Sequence, residues 1–460
     1  MSSDDCQSIL AKQHAFFAKG LTQSIDFRIK QLHILKSILQ QHEDDIVDAL
    51  KKDLHKSKTE SILNEILIII KEIHFAIKHL KKWSRPKKVK TPFILWPARS
   101  AIYVEPYGSV FIIGAWNYPL MLIASPLIGA ISAGNCVVIK PSELSTHTEK
   151  LMIQLINQYF PPEYIIAISC DAEETKYWLN EKFDYIFFTG SPAIGKKIMA
   201  AAAKHLTPIT LELGGKNPCI VDETADLQYT ARRIVWAKMM NAGQTCLAPD
   251  YLYIHHACKD QLITMLIQTI RQFYSDHPDT NIDYGRIINQ KHFERLVSLM
   301  QKGHIIYGGQ HHEDHLYIAP TLIDHVTWQD PIMQEEIFGP ILPIFYYHDL
   351  NDVILQIKQH AKPLALYLFT KQKKIENKIV QDLSFGGGCI NDCILHLINP
   401  HLPFGGIGQS GMGAYHGQYS FETFSHKKSI YKKLFSMDIP LVYPPFSKQK
   451  LWWIKQCFKR

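Results

Sequence analysis

The chain has 460 residues, a length at which two or more structural units with separate cores are expected. Its composition, 46% apolar and 20% charged, excludes disordered and fibrous proteins. The net charge of +7 is small for this length and disfavours nucleic acid as a partner. Irregularly spaced cysteines predict reduced thiols, and the first residues lack the apolar core of a secretory signal, so a cytoplasmic location is expected.

Helices are predicted over residues 24–83. The last helix is predicted from apolar residues that recur at the spacing of one helix face: Leu63, Ile66, Leu67, Ile70, Ile73, Ile77 and Leu80. The basic, proline-bearing residues 81–86 predict its end.

A strand is predicted at residues 100–105, and short apolar strands then alternate with helices up to about residue 221. This alternation predicts a parallel, doubly wound sheet. The strands expected in it are residues 109–113, 136–139, 164–169, 185–188 and 209–211.

Residues 106–139 carry no charge and are long enough to cross a membrane. Glycine, proline and asparagine interrupt them at the spacing of strand, turn and helix, so buried parallel strands are favoured over a membrane span. A second α/β series runs from about residue 217 to 391, with a helix at 225–240, a strand at 251–255 and a helix at 259–274. Two packed domains with a ligand cleft between them are therefore predicted.

Residues 187–196 form an apolar strand that turns through Gly190 into a helix. Ser191 suits the N-cap and Pro192 the first helical position. Backbone N–H groups at such a helix start suit a pyrophosphate. The same pattern is also ordinary βα architecture, so it does not establish phosphate binding by itself.

Cys246 lies in a polar, glycine-containing loop, residues 241–250, at the end of a predicted helix. Such a position can expose and stabilise a thiolate, which makes Cys246 a candidate nucleophile. Cys136, Cys170 and Cys219 lie on apolar strands and are expected to be buried hydrophobic residues instead.

Two further polar residues have positions that suit catalysis. Glu212 ends a buried strand before two glycines, where desolvation would raise its pKa and let it activate water. A salt bridge to Lys216 or a solvated turn is the alternative. Asn117 lies in the turn 114–119, where its amide can donate to a developing oxyanion or can serve the turn alone.

Taken together, these segments resemble the aldehyde dehydrogenase superfamily from about residue 20 to 445, and most closely its shorter class 3-like members. Three further stretches match in order: residues 140–143, 334–340, and 403–408 followed by 410–413. Seven ordered motifs make chance similarity negligible.

The resemblance implies that Cys246 is the nucleophile, Glu212 the general base, and Asn117 an oxyanion donor together with the N–H of Cys246. The implied cofactor is NAD, with NADP tolerated. The residues implied for binding it are Lys140 and Glu143 at the adenosine ribose, Gly190, Ser191, Pro192, Ala193, Ile194 and Gly195 at the pyrophosphate, and Glu336 and Phe338 at the nicotinamide.

One departure concerns Pro192, because the family usually has threonine there. The exchange removes a hydroxyl and an N–H near the phosphates. The implied reaction is thiolate addition to the aldehyde, hydride transfer to the nicotinamide, and hydrolysis of the thioester by water that Glu212 activates. Medium-chain aliphatic or aromatic aldehydes are the implied substrates.

Two alternative functions remain open. In a CoA-acylating enzyme a thiol would resolve the thioester, and the presence of Glu212 argues against it. A binding or structural protein would have lost activity, which intact Cys246, Glu212 and Asn117 disfavour.

The expected fold is α/β, with two doubly wound parallel-sheet domains plus a small bridging and oligomerisation β element. The NAD(P)-binding domain would span 1–80 and 106–211, and the catalytic domain 212–398. The bridging segments would be 81–105 and 399–435, before a tail at 436–460. A homodimer is expected, with strands near 100–105 and 425–432 at the contact.

Two features lie outside this scheme. Cys389, Cys393, His396 and His401 match no common zinc spacing, so no metal site is predicted, and the role of His416 is open.

The tail is too short to span a bilayer, but Leu451, Ile454 and Phe458 share one helical face beside Trp452 and Trp453, among basic residues. This pattern raises the hypothesis of weak peripheral membrane contact, against a tail that packs across the dimer or stays solvated.

Overall fold

A computed structural model describes residues 3–434, 441 and 443–457. Five helices come first in the chain. They are α1 (Ser3–Ala18), α2 (Ile25–Gln41), α3 (Glu43–Leu54), α4 (Lys58–Ser61) and α5 (Leu67–Trp83).

A π-helical turn, Ile62–Ile66, joins α4 to α5. Leu63 and Leu67 were predicted on the buried face, but they are 53% and 37% exposed. Glu65 is fully buried instead, and it follows α-helical spacing with the buried residues of α5, whereas the two leucines lie away from that face. The prediction for these two leucines was wrong because it followed apolar residues alone, whereas the buried face includes a glutamate.

The next elements build a sheet of parallel strands. They are β1 (Lys87–Val89), β2 (Ala98–Pro106), β3 (Ser109–Ile113), α6 (Met121–Ala133), β4 (Cys136–Lys140), α7 (Thr146–Tyr159), β5 (Ile165–Ala167), α8 (Glu174–Asn180), β6 (Tyr185–Gly190), α9 (Pro192–Ala203) and β7 (Ile209–Leu213). Strands β7, β6, β3, β4 and β5 lie side by side in that order and run parallel.

A second sheet follows. Its elements are β8 (Pro218–Val221), α10 (Leu227–Met239), β9 (Tyr251–His255), α11 (Lys259–Tyr274), α12 (Gln290–Leu299), β10 (His304–Tyr307), β11 (His311–His312), β12 (Tyr317–Ile318), β13 (Thr321–Asp324), α13 (Pro331–Gln334), β14 (Ile341–Tyr347), α14 (Leu350–Lys358), β15 (Ala365–Phe369), α15 (Lys373–Asp382) and β16 (Gly387–Ile390). The strand order is β10-β13-β14-β9-β8-β15-β16, and only the β10–β13 pairing is antiparallel. Strands β11 and β12 form a separate small ladder.

The last elements are β17 (Gly411–Met412), α16 (Gln418–Thr423), β18 (Ser425–Lys433) and α17 (Lys448–Cys457). Strand β17 pairs antiparallel with β7 at the edge of the first sheet. Strands β1, β2 and β18 form a three-stranded antiparallel sheet. The predicted fold class, two mainly parallel sheets plus a small β element, is confirmed.

Most of the predicted elements are present, and two differ. Helix α1 was not predicted. Strand β5 is shorter than the predicted 164–169, and the Asn157 side chain hydrogen-bonds both the N–H and the carbonyl of Ala167 in it. The uncharged residues 106–139 form β3, α6 and β4, as the prediction of buried strands required. Among the described residues, no helix is long and apolar enough to cross a membrane.

Candidate active site

Cys246 lies in the loop between α10 and β9. The chain turns there through Asn241 and Ala242, whose φ angles of 53° and 50° are left-handed. Gly243 follows at φ +75°, and a Cβ atom on it would lie 2.2 Å from the carbonyl oxygen of Gly339. Only glycine allows this close approach, so the cysteine loop packs directly on the segment that follows Glu336 and Phe338.

The thiol of Cys246 is partly exposed but poorly solvated. Burial, together with the charges of Glu336 and Glu212, raises its pKa, while the backbone N–H groups of Cys246 and Leu247 act in the opposite direction. The resting group is therefore a thiol near N–H donors that favour the thiolate once the proton leaves.

Glu212 lies on β7, between Thr189 of β6 and Gly411 of β17. It is only 4% exposed, and neither carboxyl oxygen has a hydrogen-bond partner among the described residues. Burial raises its pKa well above the ordinary range. The alternative of a salt bridge to Lys216 does not apply here, because that lysine pairs with Asp250. Glu212 therefore has the environment of a desolvated carboxyl group that holds a proton more tightly than an exposed glutamate does.

Asn117 lies in the turn between β3 and α6 and is buried. Its Nδ2 donates to the carbonyl of Gln244 at 3.0 Å, which ties the turn to the cysteine loop. An amide nitrogen carries two hydrogens, so a second N–H can serve a substrate oxygen. A second tie is the 2.9 Å contact between Tyr118 Oη and Thr245 Oγ1.

A cleft of about 620 Å³ contains most of the residues that the sequence singled out. It has the size of a small-molecule or cofactor site. The sequence-predicted residues that line it are Asn117, Gly190, Ser191, Pro192, Ala193, Glu212, Cys246, Glu336 and Phe338.

Glu336 lies against the glycines that follow Glu212. A Cβ atom on Gly214 would lie 1.8 Å from the Glu336 Oε2 atom, so a side chain there would displace the carboxyl group. Burial and the charge of Asp250 raise the pKa of Glu336 to about 8, although the N–H of Gly215 and the charge of Lys216 lower it.

Ring contacts extend the cleft beyond the predicted set. The ring of Phe338 lies 5.3 Å from Trp116, edge to face, and Trp116 lies 5.1 Å from His292. His292 lines the same cleft and has a buried Nδ1 without a hydrogen-bond partner in the described chain. Sequence analysis missed His292 because α12 reads as an ordinary amphipathic helix.

The glycine turn has the predicted local form. The Ser191 hydroxyl accepts from the N–H of Ile194 at 3.4 Å, and Pro192 begins α9. A Cβ atom on Gly195 would lie 2.8 Å from Leu213 Cδ2, so this glycine lets α9 pack closely on β7. Ile194 and Gly195 shape the turn but do not line the cleft.

Lys140 and Glu143 follow β4, at the same edge of the first sheet. Lys140 Nζ donates to Glu143 Oε2 at 2.6 Å, with the lysine buried and the carboxylate half-exposed. The pair lies outside the cleft lining.

A second, apolar cavity of about 60 Å³ shares Cys246 with the cleft. Both are also lined by Asn117, Leu122, Phe404 and Tyr415. The rest of the apolar lining comes from distant segments: Ile68, Met121, Trp236, Met240, Ile394, Leu397 and Ile398.

The residues left aside earlier are placed as follows. His396 Nδ1 lies 3.4 Å from Cys389 Sγ, and Cys393 is buried. His416 is buried, with Nδ1 3.6 Å from Glu72 Oε1.

The site defines a class of protein: an enzyme with a cysteine nucleophile and a desolvated carboxylate, beside a cleft at the carboxyl ends of parallel strands. A sequence profile of the aldehyde dehydrogenase family matches residues 1–430. The chain belongs to this family and is an NAD(P)-dependent oxidoreductase that converts aldehydes to carboxylic acids.

Individual relatives agree over nearly the whole chain. The 4,4'-diaponeurosporen-aldehyde dehydrogenase of Staphylococcus aureus is 49% identical over 447 residues, 97% of each chain. Aldehyde dehydrogenase family 3 member B2 of Mus musculus is 46% identical, covering 94% of this chain and 90% of its own.

Among solved structures, a substrate-bound state of Staphylococcus aureus AldH matches with a TM-score of 0.96 at 48% identity, covering 98% and 99% of the two chains. An indole-3-acetaldehyde dehydrogenase in complex with NAD+ matches with a TM-score of 0.85 at 25% identity, covering 94% and 89%.

The residues present fit a nicotinamide dinucleotide. In the first turn of α9, Pro192 has no N–H and Ser191 accepts the N–H of Ile194, which leaves the N–H of Ala193 without an intrahelical partner among the described residues. The buried hydroxyl of Thr189, which lines the cleft, has no hydrogen-bond partner among the described residues.

Proposed function

We propose that this enzyme oxidises medium-chain aliphatic or aromatic aldehydes through a thioester on Cys246, with NAD as the preferred cofactor. The observation that carries the proposal is the position of Cys246, where a wide cleft that contains carboxylates and a narrow apolar cavity meet. A cofactor in the cleft and an apolar aldehyde in the cavity would both reach its sulfur.

Cys246 acts first. Its thiol first loses its proton to water, and the thiolate then adds to the aldehyde carbon. A C–S bond forms as the C=O π bond breaks, and the oxygen gains the negative charge. The second N–H of the Asn117 amide and the N–H of Cys246 stabilise that charge. When bound, the nicotinamide cofactor supplies the acceptor for the hydride that the carbon loses.

Glu212 acts second. It removes a proton from water, the hydroxide adds to the thioester, and the C–S bond breaks to return the thiolate and release the acid. Its lack of hydrogen-bond partners supports this role, because a carboxylate that is not already paired can accept a proton from water.

The proposed preference for NAD rests on Glu143. Its half-exposed carboxylate can accept hydrogen bonds from ribose hydroxyls and would repel a 2′-phosphate. Lys140 beside it partly offsets the repulsion, so NADP would be tolerated.

The proposed binding roles of the remaining residues follow the cleft. Gly190 to Gly195 would hold the pyrophosphate at the start of α9, and Glu336 with Phe338 would hold the nicotinamide ribose and ring. Because Pro192 lacks an N–H and the N–H of Ile194 is donated to Ser191, the N–H of Ala193 would carry the phosphate contact.

The domain boundaries given above stay a proposal, as does a homodimer. Strands β2 and β18 pair over nine residues and present exposed apolar side chains, among them Tyr103, Ile430 and Tyr431. Association of two copies at this sheet would cover them. The test is light scattering of the wild type and of Ile430→Asp: a dimer that becomes monomeric supports the contact, and a monomeric wild type contradicts it.

We propose that the enzyme is cytoplasmic and that its C-terminal tail makes weak peripheral contact with a membrane. Leu451, Trp452 and Trp453 are each about half-exposed on α17, while Phe458 lies outside the described residues. Exposed tryptophan beside lysine is typical of interfacial helices. When the protein is sedimented with anionic liposomes at low salt, the full chain should be found in the pellet and a chain that ends at Pro445 in the supernatant. At high salt both should stay in the supernatant. If both stay there equally at low salt, the membrane contact is contradicted.

The experiment for the central proposal measures NADH formation with a panel of aldehydes. We expect higher kcat/KM with hexanal, benzaldehyde or 4,4'-diaponeurosporen-aldehyde than with acetaldehyde or a charged aldehyde, because only the apolar ones fill the cavity. A strict requirement for CoA would favour the acylating alternative, and no NADH from any aldehyde would contradict the proposal.

A further inference from the structure

A fully buried ion pair lies beneath the turn that carries Asn117. Lys56, between α3 and α4, and Glu65, in the π turn, both have side chains 0% exposed. The Lys56 Nζ atom lies 2.5 Å from Glu65 Oε1. Burying two charges is costly, so such a pair needs further partners.

Within the described part of the chain, the further hydrogen bonds of the pair all go to the Asn117 turn. Lys56 Nζ donates to the Asn117 carbonyl at 2.8 Å and lies 3.9 Å from the centre of the Tyr118 ring. Glu65 Oε2 accepts from the backbone N–H groups of Leu120 and Met121, at 3.0 and 3.1 Å. The lysine thus holds the start of the turn and the glutamate holds its end, at the N-terminus of α6, where a negative charge is favoured.

The cysteine loop is tied to the same carbonyl. Asn241 Nδ2 also donates to the Asn117 oxygen, at 2.9 Å. The Asn117 amide in turn donates to Gln244, two residues before Cys246. Lys56 therefore fixes the backbone from which the Asn117 side chain extends towards the nucleophile.

Glu65 lies in the π turn, on the face that the buried residues Ile69 and Ala76 continue in α5. Short π-helical segments occur frequently at functional sites.

We propose that Lys56 and Glu65 are positioning residues, which hold the Asn117 amide where it stabilises the oxyanion. The inference rests on the proposed role of Asn117. It assigns a function to two residues that do not line the cleft or the apolar cavity.

The test compares Lys56→Met with Asn117→Ala, alone and combined. Misplacing the amide should lower kcat by about tenfold or more, with KM for NAD unchanged. In the Asn117→Ala background Lys56→Met should have no further effect on kcat, because the amide it positions is gone. If the fold-losses in kcat of the two single variants multiply in the combined variant, Lys56 has a merely structural role and the proposal is overturned.

Lys56→Met leaves Glu65 without its cation and can fail to fold, so Lys56→Met/Glu65→Gln is a second variant. It removes both buried charges at similar shape, a change that proteins often tolerate. If it folds with wild-type kcat, the positioning role is wrong.

Arg28→Met is the matched control. Arg28 is a buried cation at the other end of α6, where it donates to the carbonyls of Thr22, Gln23 and Ser132. Its loss should lower thermal stability and leave kcat unchanged. If kcat falls as much as in Lys56→Met, lost stability explains both effects.

If Asn117→Ala itself leaves kcat unchanged, the oxyanion role fails and the positioning role falls with it. If Asn117→Ala lowers kcat and the losses multiply in the combined variant, only the positioning role is overturned.

Discussion

The cleft next to Cys246 is lined largely by loops that end parallel strands, whereas the apolar cavity combines side chains from α5, α6 and α10 with those of the cysteine loop and the segment 394–398. The cleft contains carboxylates whose burial raises their pKa, Glu212 and Glu336. The cavity has room for little more than a narrow apolar chain. We propose that the two regions have separate tasks: the cleft handles charge and protons, and the cavity selects the substrate by its fit and apolar character.

The largest expected effect is on the nucleophile that both regions share. Cys246→Ala should lower NADH formation by roughly ten-thousandfold or more, because no covalent intermediate can form. Binding of NAD, measured by calorimetry, should persist, since the thiol lies outside the proposed cofactor contacts. Retention of more than a few per cent of activity would contradict the assignment.

On the cleft side, Glu212→Gln should lower steady-state kcat roughly hundredfold or more, the usual range for a general base. The acylation step should persist, so a stopped-flow trace should show a burst of NADH and then little turnover. Unchanged turnover would move the base elsewhere, with Glu336 the first residue to test.

The pH profile checks the direction of these shifts. Burial raises the pKa of both Glu212 and Cys246, and each must lose its proton to act. Activity should therefore rise with pH through and above neutrality, up to about tenfold per unit where one proton is lost. A profile that is flat from pH 6 to 9 would contradict the desolvated site.

A smaller effect is expected on cofactor choice. The wild type should prefer NAD, and Glu143→Gln should raise kcat/KM for NADP by about tenfold, since the repelling charge is gone and Lys140 remains. Equal or better kinetics of the wild type with NADP would show that the argument from Glu143 is wrong.

The smallest effect is expected in the apolar cavity. Leu397→Ala removes apolar surface at roughly 0.8 kcal/mol per buried CH₂, so KM for hexanal should rise about fivefold or more, while acetaldehyde is unaffected. Leu395 lies in the same short 3₁₀ turn and does not line the cavity, which makes Leu395→Ala the matched control. Equal effects of both variants would contradict the proposed substrate site.

The contrast between the two regions also explains what the sequence could predict. The cleft is built from contiguous stretches, so the turn at Gly190, the loop of Cys246 and the strand of Glu212 could each be recognised alone. The apolar cavity could not, because its lining residues are generic and come from helices and turns far apart in the chain. The Lys56–Glu65 pair was hidden because a lysine in a loop and a glutamate nine positions later carry no local sign that both are buried.

The strength of the Glu212 desolvation was hidden as well. It depends on β17, which comes about 200 residues later in the chain and pairs directly with Glu212 through Gly411. No local sequence pattern at Glu212 predicts that β17 will pair with its strand.

The measurement that tests the central claim most directly is the mass of the intact Glu212→Gln enzyme, quenched in acid after mixing with NAD and excess hexanal. Thioester formation predicts an added mass equal to the aldehyde less two hydrogen atoms, located on the peptide that contains Cys246. The same treatment of the double variant with Cys246→Ala should add nothing. An unmodified Cys246 peptide, after a full burst of NADH, would contradict covalent catalysis by this residue.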